Sequence, residues 1–248
     1  MARELRRLLI DPGRLADRLA LTAEESRYLT RSLRYRPGDR FAVTDGAGRL
    51  WSAVLLDPRT AELQQPRQHP LEVEPAARPC LCLALAVPRL DGDVVIRMAC
   101  ELGVDQLQPL LAARSSPGAE RRRGRWPAIL REAGEQSERL WQPELGELVE
   151  AGSWLARPVE GLALIATTRR PDLPLLGSLL AGTSAGEAPE ALALAIGPEG
   201  GWTPQEEQLA GQSGWRAVSL GPRILRCSTA AVAGLSLLSQ WRSSRHGC

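Results

Sequence analysis

Ile196-Gly197-Pro198-Glu199-Gly200-Gly201-Trp202 follows an apolar run over 191–196, and Leu220-Gly221-Pro222-Arg223-Ile224-Leu225-Arg226 echoes it downstream. Each Gly-Pro turn closes a strand-like segment and leads into a helix-like one. That arrangement predicts two loops at one edge of a parallel sheet, the edge at which open α/β sheets bind ligands.

The pattern around these loops supports the same fold class. From residue 80 onward, strand-like segments (80–87, 107–112, 162–167, 191–196, 217–220) alternate with helix-like ones (92–102, 125–140, 204–212, 229–241). Alternation of this kind implies a parallel sheet covered on both faces. Thr203 as N-cap and Pro204 in the first turn open the helix that follows the first loop. The stretch 171–189, rich in Gly, Pro and Ala, reads as a mobile loop with at most a short helix.

Before residue 64 the texture is different. Turns at 36–39 and 45–48 separate short strand-like segments, and 41–44 and 50–56 flank the second turn as a hairpin. One helix is expected over 22–33, opened by Thr22 with Glu25 three residues on as a capping box. Residues 64–79 hold four prolines and show no sustained period, so the boundary between a small β-rich domain (1–72) and an α/β domain (73–248) falls there.

Composition limits the function classes. No apolar stretch approaches the roughly 20 residues of a membrane span, and the Arg-rich start lacks the pattern of a secretory signal, so the cytoplasm is the expected compartment. The five cysteines, Cys80, Cys82, Cys100, Cys227 and Cys248, form no CxxC pair, and the only histidines are His69 and His246. Neither a metal site nor a disulfide framework is expected. The chain has no Lys and no Asn, so all 31 of its cationic side chains are Arg. Residues 1–40 carry ten Arg against six acids, and 114–131 carry six against Glu120 alone. Both clusters are candidate phosphate-facing surfaces, and both have the composition of a solvated basic face.

The Gly197–Gly201 loop lacks the Lys-Ser/Thr of a P-loop and is not GxGxxG, which argues against nucleoside triphosphates and dinucleotides. Its glycines allow close backbone approach to a ligand, and the same residues also suit a purely structural turn. Over 125–140, Trp126, Leu130, Ala133, Ser137 and Leu140 form one stripe and Glu132, Gln136 and Arg139 another, the first expected to face the core. Arg223 and Arg226 are placed either to clamp an anion or to form ion pairs.

Taken together, 34–39 with Asp45-Gly46, Glu101-Leu102-Gly103-Val104, Pro109 with Arg114, Glu135-Gln136-Ser137 with Arg139 and Pro143, 196–202, and 220–226 with Thr229-Ala230 run in register over nearly the whole chain. In this the chain resembles the bacterial 16S rRNA uridine-N3 methyltransferases of the small-subunit methyltransferase E type, in the SPOUT superfamily. The resemblance implies a PUA-like β-barrel that helps hold RNA, followed by a parallel-sheet domain whose end threads into a trefoil knot. It implies S-adenosylmethionine as cofactor and a homodimer acting on 16S rRNA in the small ribosomal subunit. The cofactor pocket it implies comprises Thr167, Ile196, Gly197, Glu199, Gly200, Gly201, Leu220, Gly221, Ile224, Leu225, Arg226 and Ala230. The implied RNA surface involves Arg7, Arg34, Arg89, Arg114 and Arg139.

The implied chemistry is methylation of N3 of one specific uridine. N3 lies on the Watson-Crick edge, so the base must be unpaired or flipped, and its proton must leave. Arg226 is the expected stabiliser of the developing uracil anion. Ser228, the second catalytic position, stands where family members usually carry Glu, Met98 where they carry Lys, Ala113 where Glu is common and Tyr28 where His is frequent. Met98 and Ser228 together read as an ion pair dropped as a unit. Two alternatives stay open at this point: a SPOUT enzyme that methylates a ribose 2′-hydroxyl, and an RNA-binding ribosome-assembly factor without catalysis.

Overall fold

The computed structural model describes residues 5–158, 160–168, 170, 172–183 and 189–245. Two compact units form, Met1–Ala76 with Gly134–Gln142, and Ala77–Ala133 with Pro143–Cys248. The return of 134–142 to the first unit has no counterpart in a linear division of the chain.

The first unit holds β1 (Arg7–Leu9), β2 (Arg18–Ala20), α1 (Ala23–Arg27), β3 (Arg40–Thr44), β4 (Arg49–Asp57), β5 (Thr60–Leu63) and β6 (Glu72–Val73). The strands form one sheet in the order β1-β3-β4-β5-β2, with β6 beside β4. β3 and β4 are the expected hairpin, and Asp45 fixes its turn by accepting from the Ala47 and Arg49 N–H groups at 2.8 and 3.1 Å. Phe41 and Trp51 are wholly buried in its core with Leu8, Leu19 and Leu55. The Thr22 capping box forms as read, but the α-helix ends at Arg27 and continues over Tyr28–Ser32 in π turns rather than running as one helix to residue 33.

The second unit contains β7 (Cys80–Ala86), α2 (Gly92–Glu101), β8 (Gln106–Leu111), the greater part of α3 (Trp126–Gln136), β9 (Glu144–Leu145), β10 (Val149–Glu150) and α4 (Ala151–Leu155). β11 (Leu162–Ala166), α5 (Leu176–Ala181), β12 (Ala191–Ile196), α6 (Pro204–Gln212), β13 (Arg216–Val218) and α7 (Cys227–Arg245) follow. Its strands are all parallel, in the order β10-β8-β7-β12-β11-β13 with β9 beside β8.

Side-chain size separates the two faces. Leu81, Leu83 and Leu85 of β7 and Leu192, Leu194 and Ile196 of β12 face one way, against α2, α3, α5 and α7. Ala84, Ala86, Ala193 and Ala195 face the other way, where the small residues leave room for Trp202 and Trp215 beside α4 and α6. Each fully buried Leu contributes about 1.5–3 kcal/mol. Connections that step along the sheet from β7 to β8, β8 to β10 and β11 to β12 carry their helices on the leucine face. Those stepping the opposite way, β10 to β11 and β12 to β13, carry theirs on the alanine face. A single crossover hand requires this split.

Two helices differ from expectation at their ends. α3 stops at Gln136 rather than 140 because Glu138 takes a left-handed conformation (φ 60), and Leu140 turns into a cluster with Ala42 and Leu50. α7 runs past Trp241 because Arg242 is a buried anchor: its guanidinium donates to Asp105 at 2.5 Å and to the Gly103 carbonyl at 2.7 Å. Asp105 also accepts from the Leu81 N–H, tying the end of α7 to the start of β7. The short helix anticipated within 171–189 is α5; Pro171 and residues 184–188 lie outside the described residues, as do His246 and Cys248.

Candidate active site

Parallel register brings three strand ends together. Ala166 pairs with Ile196 on one side and Val218 on the other, so Thr167, Gly197 and Ser219 leave the sheet side by side at its carboxyl edge. The Thr167 N–H donates to the Val218 carbonyl, and its hydroxyl donates to Glu207 at the start of α6.

The first loop is built from below and behind. Trp202 turns under it, its indole N–H donating to the Ala166 carbonyl at 3.1 Å, and a Cβ at Gly197 would sit 3.1 Å from that ring. The Gly201 N–H donates to the Pro198 carbonyl with Gly201 at φ 71, a conformation open to glycine. Arg114 holds the far side through the Gly200 and Trp202 carbonyls at 3.2 and 3.1 Å, packed so closely that a Cβ at Gly200 would lie 2.9 Å from its own Cβ. Below, buried Glu206 accepts from the Thr203 N–H and hydroxyl and from the Ala113 N–H, which fastens the head of α6 to the end of β8.

The second loop is anchored at both ends and open between. Ser219 bonds the Pro174 and Leu176 segment through its backbone, and its hydroxyl accepts from the Gly221 N–H, with Gly221 at φ 129. Leu220 packs into the leucine-face core, whereas Ile224 is 67% exposed and the Arg223 and Arg226 side chains are exposed. The Arg226 carbonyl accepts from the Ala230 N–H at the start of α7. Cys227, next in line, is buried and reaches the Ala86 carbonyl at 3.7 Å. Burial, and secondarily the Glu199 carboxylate, push its thiol up to about 12, so it is a neutral packing group. Glu199 accepts from the Arg89 N–H at 2.7 Å and so joins the loop after β12 to the one after β7.

What the two loops leave available is backbone. Among the described residues, the N–H groups of Glu199, Gly200, Leu220, Ile224 and Leu225 donate to no protein acceptor. A Cβ built at Gly201 or Gly221 meets nothing within 4 Å. The arrangement is a rim of free peptide groups over an apolar floor, suited to a flat, partly polar ligand.

Residues 76–239 match the model of an RNA methyltransferase domain, and residues 21–64 that of an RNA methyltransferase PUA domain. The ribosomal RNA small subunit methyltransferase E of Synechocystis sp. is 37% identical over 94% of this chain and 77% of its own length. The chain belongs to the ribosomal RNA small subunit methyltransferase E family. Among solved structures, a Legionella pneumophila methyltransferase in complex with bound SAM superposes with a TM-score of 0.82 at 26% identity, covering 96% of this chain and 98% of that one. The methyltransferase E of Neisseria gonorrhoeae bound to S-adenosyl methionine superposes at 0.78 with 28% identity, over 96% of this chain and 98% of its own. The family fold accounts for the parallel sheet and for the N-terminal PUA unit.

Within this family fold the remaining candidates divide. In the first unit Arg7 is paired with Glu138 at 3.1 Å, and Arg139 donates to the Trp141 carbonyl at 3.0 Å, while Arg34 is exposed at φ 58. In the second, Arg89 is exposed and Arg114 clamps the glycine loop. Met98 is 39% exposed on α2, which packs against α7, and Ser228 is half-buried in the first turn of α7. Sequence reading missed Glu206, Glu207 and the clamping role of Arg114. Thr203-x-x-Glu206 is a capping-box spacing, so the signal for Glu206 was present.

Proposed function

We propose that the chain is an S-adenosylmethionine-dependent methyltransferase acting on N3 of one uridine of 16S rRNA in the small ribosomal subunit, in the cytoplasm. The observation that carries this is the meeting of Thr167 and the two Gly-Pro loops at the ends of adjacent strands β12, β11 and β13.

The residues present fit the cofactor. Free backbone N–H groups at Glu199, Gly200, Leu220, Ile224 and Leu225 match the hydrogen-bonding edges of an adenosine and a carboxylate, and the open space beside Gly201 and Gly221 admits them. Bound S-adenosylmethionine supplies an electrophilic methyl group on a sulfonium. The protein's part is to hold the base and its charge. Arg226 has an exposed guanidinium with no protein partner among the described residues, and it receives the negative charge that develops on the uracil oxygens as the N3 proton leaves. Ser228, one turn position on, donates a hydrogen bond to the base; a neutral hydroxyl is too weak a base to take the proton, which passes to solvent. Arg34 and Arg89 meet phosphates, while Arg7, Arg114 and Arg139 shape the surfaces around them. Passage of the α7 segment through a trefoil knot and homodimerisation belong to the same proposal.

The test uses small subunits from a strain lacking this modification, incubated with the protein and methyl-labelled cofactor. N3-methyluridine at one 16S position is expected. Label on ribose, or no label, overturns the proposal.

A further inference from the structure

At the carboxyl end of β7 a cleft of about 490 Å³ opens between residues 87–93 and the Arg121–Trp126 segment, within the second unit. Its volume is that of a small-molecule site rather than of a single ion.

Three arginines, Arg89, Arg121 and Arg125, line it against two aspartates, Asp91 and Asp93, the latter lying 3.8 Å from Arg125. The ten-residue helix α2 begins here without a side-chain cap: Asp91 precedes it at φ 62 and accepts from none of its N–H groups through its carboxylate. The positive end of the helix therefore faces the lining at Gly92 and Asp93. A separate observation concerns Trp126, which is 1% exposed and has no acceptor for its indole N–H. The benzo ring of the indole lies against Gly92, where a Cβ would be 3.6 Å from Trp126 Cζ2. The indole belongs to the lining of the cleft while its N–H stays unsatisfied, a situation folded proteins normally avoid.

We infer that this cleft seats one phosphate-bearing nucleotide of the RNA strand, adjoining the nucleotide that is methylated. The inference rests on the RNA-methyltransferase reading above. The phosphate lies at the α2 N-terminus between the arginine forks. The Arg89 N–H bond to Glu199 makes one wall of the cleft continuous with the glycine loop, so strand held here is delivered to the neighbouring site.

Gly92→Asp tests it without unfolding the chain. The new Cβ makes only ordinary contacts with Pro88 and Trp126, and a carboxylate in the first turn favours the helix. An Arg121→Gln/Arg125→Gln double variant removes charge without adding a side chain at Gly92. The readout is the dissociation constant for unmethylated small ribosomal subunits by co-sedimentation at several salt concentrations, which requires no catalysis. Both variants are expected to bind about tenfold more weakly, with the slope of log affinity against log salt reduced by about one, and with unchanged cofactor affinity by calorimetry. Wild-type affinity and salt slope in both variants overturn the seat, as does a wild-type protein that does not bind subunits. A wild-type protein that binds subunits in a cleft-dependent way but transfers no methyl group overturns the methyltransferase reading and supports the seat.

Discussion

Arg226 and Cys227 are neighbours with opposite fates, and the contrast sets what each can do. Arg226 is exposed at the mouth of the second loop, whereas Cys227 is buried beneath it. Arg226→Gln is expected to lower kcat by about 10²-fold, the scale of losing one charge-stabilising donor, with little change in the thermal midpoint or in cofactor affinity. Single-turnover methylation beside calorimetry checks this; a parallel loss of cofactor affinity would move the role of Arg226 from the base to the cofactor. The thiols of half-buried Cys82 and buried Cys227 predict a pH effect. Burial first, then the Cys80 charge at Cys82 and the Glu199 charge at Cys227, push both up to about 12 from the ordinary 9.0. The folded state thus favours the protonated form, and this contribution is complete below pH 9 and lost as pH rises toward 12. Urea midpoints are expected to hold level from neutral pH to about 9 and then fall, with a shallower fall for Cys227→Ala.

Among the elements, α6 shows how a helix end can govern a loop. Thr203 and Glu206 cap it reciprocally, and Glu206 additionally accepts from Ala113. Thr203→Ala removes the cap and the hydroxyl's bond to Glu206 but leaves the Ala113 link, and is expected to cost about 1 kcal/mol. Glu206→Ala strands part-buried N–H groups on two segments, and a loss of about 2–3 kcal/mol is expected, accompanied by weaker cofactor binding. Urea denaturation and calorimetry test the ranking; equal losses would make Glu206 a cap and nothing more. Elements of this kind were partly legible in the sequence. The capping residue, the strand 191–196 and the helix 204–212 stand where their patterns place them, because local chemistry decides them. The two faces of the sheet were not read. In Leu-Ala alternation every residue is apolar, so the period lies in side-chain size, and only the packing partners reveal it. Nor was the end of α3 read, since a left-handed Glu138 leaves no mark in periodicity. At the candidate site the loops were legible from their glycines and prolines. Their supports Arg114 and Glu206 were not, because both act across segments nearly ninety residues or more apart.

For the whole molecule, the surface of the second unit carries an apolar feature that its own core does not explain. Val94 and Met98, one turn apart on α2, are 42% and 39% exposed, Leu90 in the loop before α2 is also exposed, and Leu237 is exposed on α7, which packs beside α2. Single exposed hydrophobics are ordinary, but a stripe at i, i+4 continued on a neighbouring helix marks a surface that is covered in use. A second copy of the chain is the cover proposed here, with Met98 in the middle of the stripe. Met98→Glu places a carboxylate in its middle without touching the core or the two Gly-Pro loops. Sedimentation at micromolar concentration should find a dimer for the wild-type chain and a monomer for Met98→Glu, with equal thermal midpoints for the isolated protomer fold. A monomeric wild type would remove homodimerisation from the proposal, and a dimeric Met98→Glu would place the interface on some other face.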